Sequence, residues 1–150
     1  MLDGEYDRLL IMAKWQWDSR LETGIELIDE QHLELFSRID KLEIALYSGM
    51  GSAELTYLIQ YLMEYVVEHF AAEEKILDGI NYPDLAKHIK QHQEFRQVVN
   101  EIISSCRDKG ADRFLAIEVD KMMRNWWENH ILKLDMDYVT YVRNRKPDKL

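Results

Sequence analysis

Apolar residues recur at steps of three and four through four long stretches of this chain, the period of an amphipathic helix packed on one side. The first stripe runs Ile25, Ile28, His32, Leu35, Phe36, Ile39, Leu42 and Leu46. The second runs Leu55, Leu58, Ile59, Leu62, Val66, His69, Glu73, Ile76 and Leu77. The third holds Leu85, His88, His92, Phe95, Val99, Ile102 and Cys106, and the fourth Leu115, Val119, Met122, Met123, Trp126, Trp127 and His130. Breaks fall at Gly49 and Gly51, between Gly79 and Pro83, and at Gly110, so the connections are short. No stretch alternates with the period of two that marks a strand. The pattern predicts an all-α fold, an up-down-up-down antiparallel four-helix bundle. Residues 1–16 form an N-terminal arm in this reading, 17–143 the bundle and 144–150 a charged tail, with a short C-terminal helix over 135–143.

Composition narrows the class. The 150 residues are 47% hydrophobic and 31% charged, enough for one folded core and too apolar for disorder. A net charge of −9 argues against nucleic acid and anionic membrane surfaces as partners. No run approaches the ~20 apolar residues that span a bilayer, and the first residues lack the basic start of a secretory signal. Cys106 is the one cysteine, which excludes an internal disulfide and suits a reducing compartment. The expected location is the cytoplasm.

The polar residues on the apolar stripes carry the chemistry. All five histidines, His32, His69, His88, His92 and His130, lie on helix faces that should be buried. A buried imidazole needs a partner for each nitrogen, and every omission costs on the order of 1–3 kcal/mol. A shared metal centre satisfies all five together. His88 and His92 are four apart and share a face, as do His69 and Glu73. His130 and Asp135 are five apart, about 140° around a regular helix. Both can reach one site only if the helix ends or widens into a π-type turn between Ile131 and Asp135. If Glu73 and Asp135 both bridge two six-coordinate metals together with one solvent-derived oxygen, five histidines fill all remaining positions except one. That vacancy suits a small ligand. Imidazole and carboxylate in six-coordination favour iron, manganese or cobalt, whereas structural zinc prefers closed four-coordinate sites with cysteines. HIKQH lacks the glutamate of zinc proteases, and no Glu-x-x-His pair of the carboxylate-rich di-iron oxidases is present.

The segments WDSRLETGIELIDEQH (17–32), HFAAEE (69–74), NYPDLAKHIKQH (81–92) and NHILKLD (129–135) resemble the hemerythrin family, its bacterial members above all. The likeness extends from Trp17 to about Tyr138 and fills every ligand position of the family. It implies two iron ions, oxo- or hydroxo-bridged. His88, His92 and His130 would hold one, His32 and His69 the other, and Glu73 and Asp135 would bridge them. It further implies reversible dioxygen binding at one five-coordinate iron, for carriage, storage or delivery, and no enzyme activity. An oxygen, redox or nitric oxide sensing module, or an enzyme handling peroxide or nitric oxide at the same position, ranks behind it. By the same resemblance Leu35 and Phe70 line the ligand pocket. Where the family usually has leucine, three residues before the last histidine, this chain has Trp127, which should lean toward the metals, either as extra core packing beside Trp126 or to narrow that pocket.

Overall fold

The computed structural model describes residues 17–145, so the expected arm over 1–16 and all of the tail after Arg145 lie outside the described residues. A short 3-10 turn, Ser19–Leu21, precedes α1 (Glu26–Ser48), α2 (Gly51–Gly79), α3 (Leu85–Lys109) and α4 (Arg113–Trp126). Helix α4 runs without interruption into a π-helical segment, Trp127–Asp135, and then into α5 (Met136–Arg145). Among the described residues there is no strand, and no helix is long and apolar enough to cross a membrane. The four-helix bundle predicted from the periodicity is thus the fold. The C-terminal helix is a continuation of the fourth one rather than a separate element.

The stripes became the core because each presents one continuous apolar face to its neighbours. Leu35, Ile39, Leu42, Leu55, Leu58 and Leu62 are completely buried where α1 meets α2. At ~25 cal/mol per Å² of apolar surface removed from water, such side chains each contribute about 2 kcal/mol. Connections follow the breaks in the pattern. Gly49 takes the left-handed conformation, φ 76°, that closes α1. Asn81, at φ 54°, turns the chain from α2 toward α3. Asp112 caps α4 by accepting the Leu115 amide hydrogen at 2.8 Å. The start of α1 has no cap of the usual kind. Instead the Asp29 carboxylate accepts from the Thr23 amide, the Thr23 hydroxyl and the Gly24 amide, pinning the incoming chain to the first turn.

Two apolar clusters flank the polar centre. The larger one fills the bundle from Leu35 to Ile131, and the smaller, made of Leu77, Tyr82, Tyr138 and Val139, closes the other end. The histidines lie in the layer between them, sealed from water on both sides.

Candidate metal centre

Four elements converge on one layer. His32 comes from α1, His69 and Glu73 from α2, His88 and His92 from α3, and His130 and Asp135 from the π-helical segment. All seven side chains are buried, none more than 1% exposed. The π-helix is what completes the set. Its wider turn brings residues five apart nearly into line, and His130 Nε2 lies 3.1 Å from Asp135 Oδ1. The spacing that does not fit a regular helix therefore marks the place where the helix is not regular.

The two carboxylates divide the histidines between them. Glu73 Oε1 is 2.5 Å from His88 Nε2 and 3.1 Å from His92 Nε2, while its other oxygen, Oε2, faces His69 Nε2 at 3.6 Å. Asp135 Oδ1 faces His88 and His130 at 3.2 and 3.1 Å, and Oδ2 faces His32 at 3.2 Å. Each carboxylate thus offers one oxygen to a group of His88, His92 and His130, and the other to a pair of His32 and His69. Within the sets Glu73, His88, His92, His130 and His32, His69, Glu73, the potential ligand atoms all lie within 4.8 Å of one another.

The nitrogens facing away from the centre explain why these orientations hold. His69 Nδ1 donates to Gln31 Oε1 at 2.7 Å, His92 Nδ1 to Glu74 Oε1 at 2.8 Å, and His130 Nδ1 to Gln91 Oε1 at 3.1 Å. A carboxylate or amide oxygen can only accept, so the proton of each ring sits on Nδ1 and the lone pair of Nε2 points inward. His92 and His130 then direct two lone pairs at each other across 3.2 Å. That contact is repulsive unless a cation lies between them. His69 Nε2, both nitrogens of His32 and both oxygens of Asp135 are buried without any hydrogen bond of their own. This donor set fits a pair of divalent or trivalent cations.

Electrostatics point the same way. Burial and the neighbouring Asp135 would raise Glu73, but the imidazoles of His88 and His92 against its Oε1 hold it well below the ordinary carboxylate range. Burial would likewise raise Asp135, but His130, His32 and His88 draw it far down. Burial, helped by the neighbouring His32 and His92 and only partly opposed by Glu73 and Asp135, pushes His69 down to about 3, whereas the Asp135 and Glu73 carboxylates overcome burial at His88 and lift it to about 9. Two ionised carboxylates in a dry layer thus favour positive charge at His32 and His88, whereas burial keeps His69 and His130 neutral.

The remaining expected site residues are accounted for as follows. Phe70 lies flat on His92, ring centres 3.8 Å apart, and Leu35 is fully buried one turn beyond His32. Trp127 packs edge-on over His32 at 6.4 Å and is itself backed by Phe36 at 5.4 Å and Trp17 at 6.2 Å. It therefore leans toward the pair of histidines, not the group of three. Sequence reasoning missed Gln31, Glu74 and Gln91. A signal for them existed: two Gln-His dipeptides, in which the glutamine beside each ligand candidate reaches a histidine on another helix. Tyr138 also escaped the sequence reading, and it donates its buried hydroxyl to Glu73 Oε2 at 3.0 Å.

A bundle with this inward-facing set defines a class of helical metal-binding domain. A family model described as the hemerythrin HHE cation binding domain matches residues 23–142, and the chain belongs to the hemerythrin family. The bacteriohemerythrin of Pseudomonas aeruginosa (strain LESB58) is 32% identical over 133 residues, 89% of this chain and 84% of that protein. The bacteriohemerythrin of Stenotrophomonas maltophilia (strain R551-3) is 30% identical over 132 residues, covering 88% and 84%. Myohemerythrin of Theromyzon tessulatum is 29% identical over 128 residues, covering 85% and 93%.

Proposed function

We propose that this chain holds two iron ions and binds dioxygen reversibly, for carriage, storage or delivery. His88, His92 and His130 would hold one iron, His32 and His69 the other, and Glu73 and Asp135 would be shared between them. The observation that carries the reading is the division of each carboxylate between the two histidine groups, with one oxygen for each. An iron held by His32 and His69 would receive one fewer imidazole than one held by His88, His92 and His130, which would leave room there for a small ligand. Iron supplies the electrons by which dioxygen is held without being consumed.

The protein does the rest by holding and excluding. Gln31, Glu74 and Gln91 fix which ring nitrogen carries the proton, so the inward nitrogens are ready to coordinate. Tyr138 anchors Glu73 from the side away from the histidines of α3. Leu35, Phe70 and Trp127 keep the ligand position apolar, and Trp127 narrows it on the side of His32 and His69. Water reaching the centre would promote irreversible oxidation, so a dry pocket favours release of the ligand intact. The polar groups around the ligands, Gln31, Glu74, Gln91 and Tyr138, are each engaged in holding a ligand, which favours a binding protein over a catalyst.

Iron analysis combined with an anaerobic titration tests the proposal. About two irons per chain are expected, with a visible charge-transfer band that forms on exposure to dioxygen and disappears under argon. One iron or fewer per chain, or a band that never reverses, would refute it. Nitric oxide titrated in place of dioxygen should occupy the same position.

A further inference from the structure

A groove of about 240 Å³ opens between α3 and α4 on the outer side of the metal layer, and its inner end is His130. Its floor is apolar, built from Phe95, Val98, Met122 and Trp126. Amides from Gln91, Asn125 and Asn129 stand along the polar side, and Glu94 is the one charged residue among those lining it. A cavity of roughly 150 Å³ admits benzene, so this groove has room for a single substituted ring and little more. With a carboxylate and no lysine or arginine in its wall, it disfavours phosphate-bearing nucleotides and other anions.

The groove sits one ring away from the proposed irons. Trp126 lies flat on His130, with centres 3.8 Å apart and planes 9° from parallel, and Phe95 continues the stack at 4.0 Å. His130 gives its Nδ1 proton to Gln91 on the groove side and turns Nε2 to the centre. A molecule in the groove therefore touches the outer edge of a residue whose inner edge meets the metals.

We propose that this groove binds a neutral single-ring dihydroxyaromatic of the hydroquinone class, which returns an oxidised centre to its oxygen-binding state. The chemistry balances: a hydroquinone loses two hydroxyl protons and two electrons and becomes a quinone. Two electrons would match the need of the two ferric ions that the seven inward-facing residues would hold, and the protons would pass to Glu94 and water. The amides can hold the hydroxyls while the ring lies on the apolar floor. The electron-donor role rests on the di-iron reading above, whereas the groove's affinity for a ring does not.

The test uses the full chain as purified with iron, with resorcinol as a ring of equal size that cannot become a quinone. Ligand-observed NMR should detect resorcinol binding, weakened about tenfold by Val98→Trp and also by Met122→Phe. In stopped flow, hydroquinone should reduce the diferric protein about tenfold more slowly in both variants, with reduction by dithionite unchanged. Val98 is partly exposed, so its replacement leaves the bundle's interior intact, and circular dichroism checks this. Resorcinol binding that is absent, or equal in parent and variants, overturns the groove, as does hydroquinone reduction that ignores both substitutions. Iron analysis on the same samples separates the failures: rings bound without iron refute the di-iron reading and the donor role, while iron without bound rings refutes the groove alone.

Discussion

Two pairs of buried carboxylates occupy this bundle, and they solve the same problem differently. Glu43 on α1 and Asp120 on α4 share Arg124, which contacts Glu43 Oε1 and lies 3.1 Å from Asp120 Oδ2. Glu73 and Asp135 face only histidines among the described ion pairs. The first pair carries its cation in the sequence. Burial still pushes both of its carboxyls up, with Arg124 only partly opposing the effect. The second pair is held strongly ionised, with lone pairs on surrounding nitrogens that no proton of the chain satisfies. A buried charge without a fixed counter-ion costs several kcal/mol, so a site built this way is stable chiefly when it recruits one. The contrast separates a structural ion cluster from one able to hold metal within the same four helices.

The comparison breaks most visibly if the recruiting pair is disarmed. Asp135→Ala removes an oxygen from each histidine group, and iron content should fall from about two per chain to below one, by elemental analysis. The same substitution at the other pair, Asp120→Ala, should leave iron content unchanged. Stripping iron from the parent with a chelator should lower its melting temperature by on the order of 10 °C, since a ligand that binds only the folded state stabilises it. Calorimetry of loaded and stripped samples would show this.

Arg124→Met leaves Glu43 and Asp120 facing each other without a cation. Because Arg124 is itself partly exposed, the expected loss is ~2 kcal/mol in urea denaturation, less than for a fully buried pair. Trp127→Leu should open the pocket above His32 and speed dioxygen dissociation about tenfold, ~1.4 kcal/mol, read by stopped flow. Identical rates would refute a role for the indole.

The smallest effect is one of pH. Glu43 has a raised folded-state pKa, so its contribution to stability is fully present below the ordinary carboxylate range and lost as the pH rises through the folded value. Glu43→Gln cannot ionise. Its melting temperature relative to the parent should therefore climb between pH 4 and pH 7, by a few degrees at most. A difference that is flat with pH would mean that Arg124 neutralises Glu43 completely.

Much of this was legible before any coordinates. The stripe that includes Leu55, Leu58 and Leu62 marks the face that α2 buries, because a helix in water can hide only one side. The seven ligand candidates were legible for a related reason: a histidine or acid among leucines on a buried face needs a partner. The five-residue step from His130 to Asp135 even announced the π-helix, since a regular turn separates those side chains. Gln31, Glu74 and Gln91 were harder to read. Each looks like an ordinary polar residue beside a ligand, and its partner lies on a different helix. Nothing in the local sequence of Tyr138 indicates that its hydroxyl meets Glu73.

The sequence alone determined the number of helices, their buried faces and the inventory of candidate ligands, because these follow from periodicity and from the cost of burying polar atoms. Only the tertiary structure decided which histidines share which carboxylate oxygen, that Trp127 sits over His32, and that a groove ends at His130. Those features depend on how far apart four helices lie and how each is rotated about its axis. Helix spacing and rotation are set jointly by all the packed side chains, so no single segment encodes them.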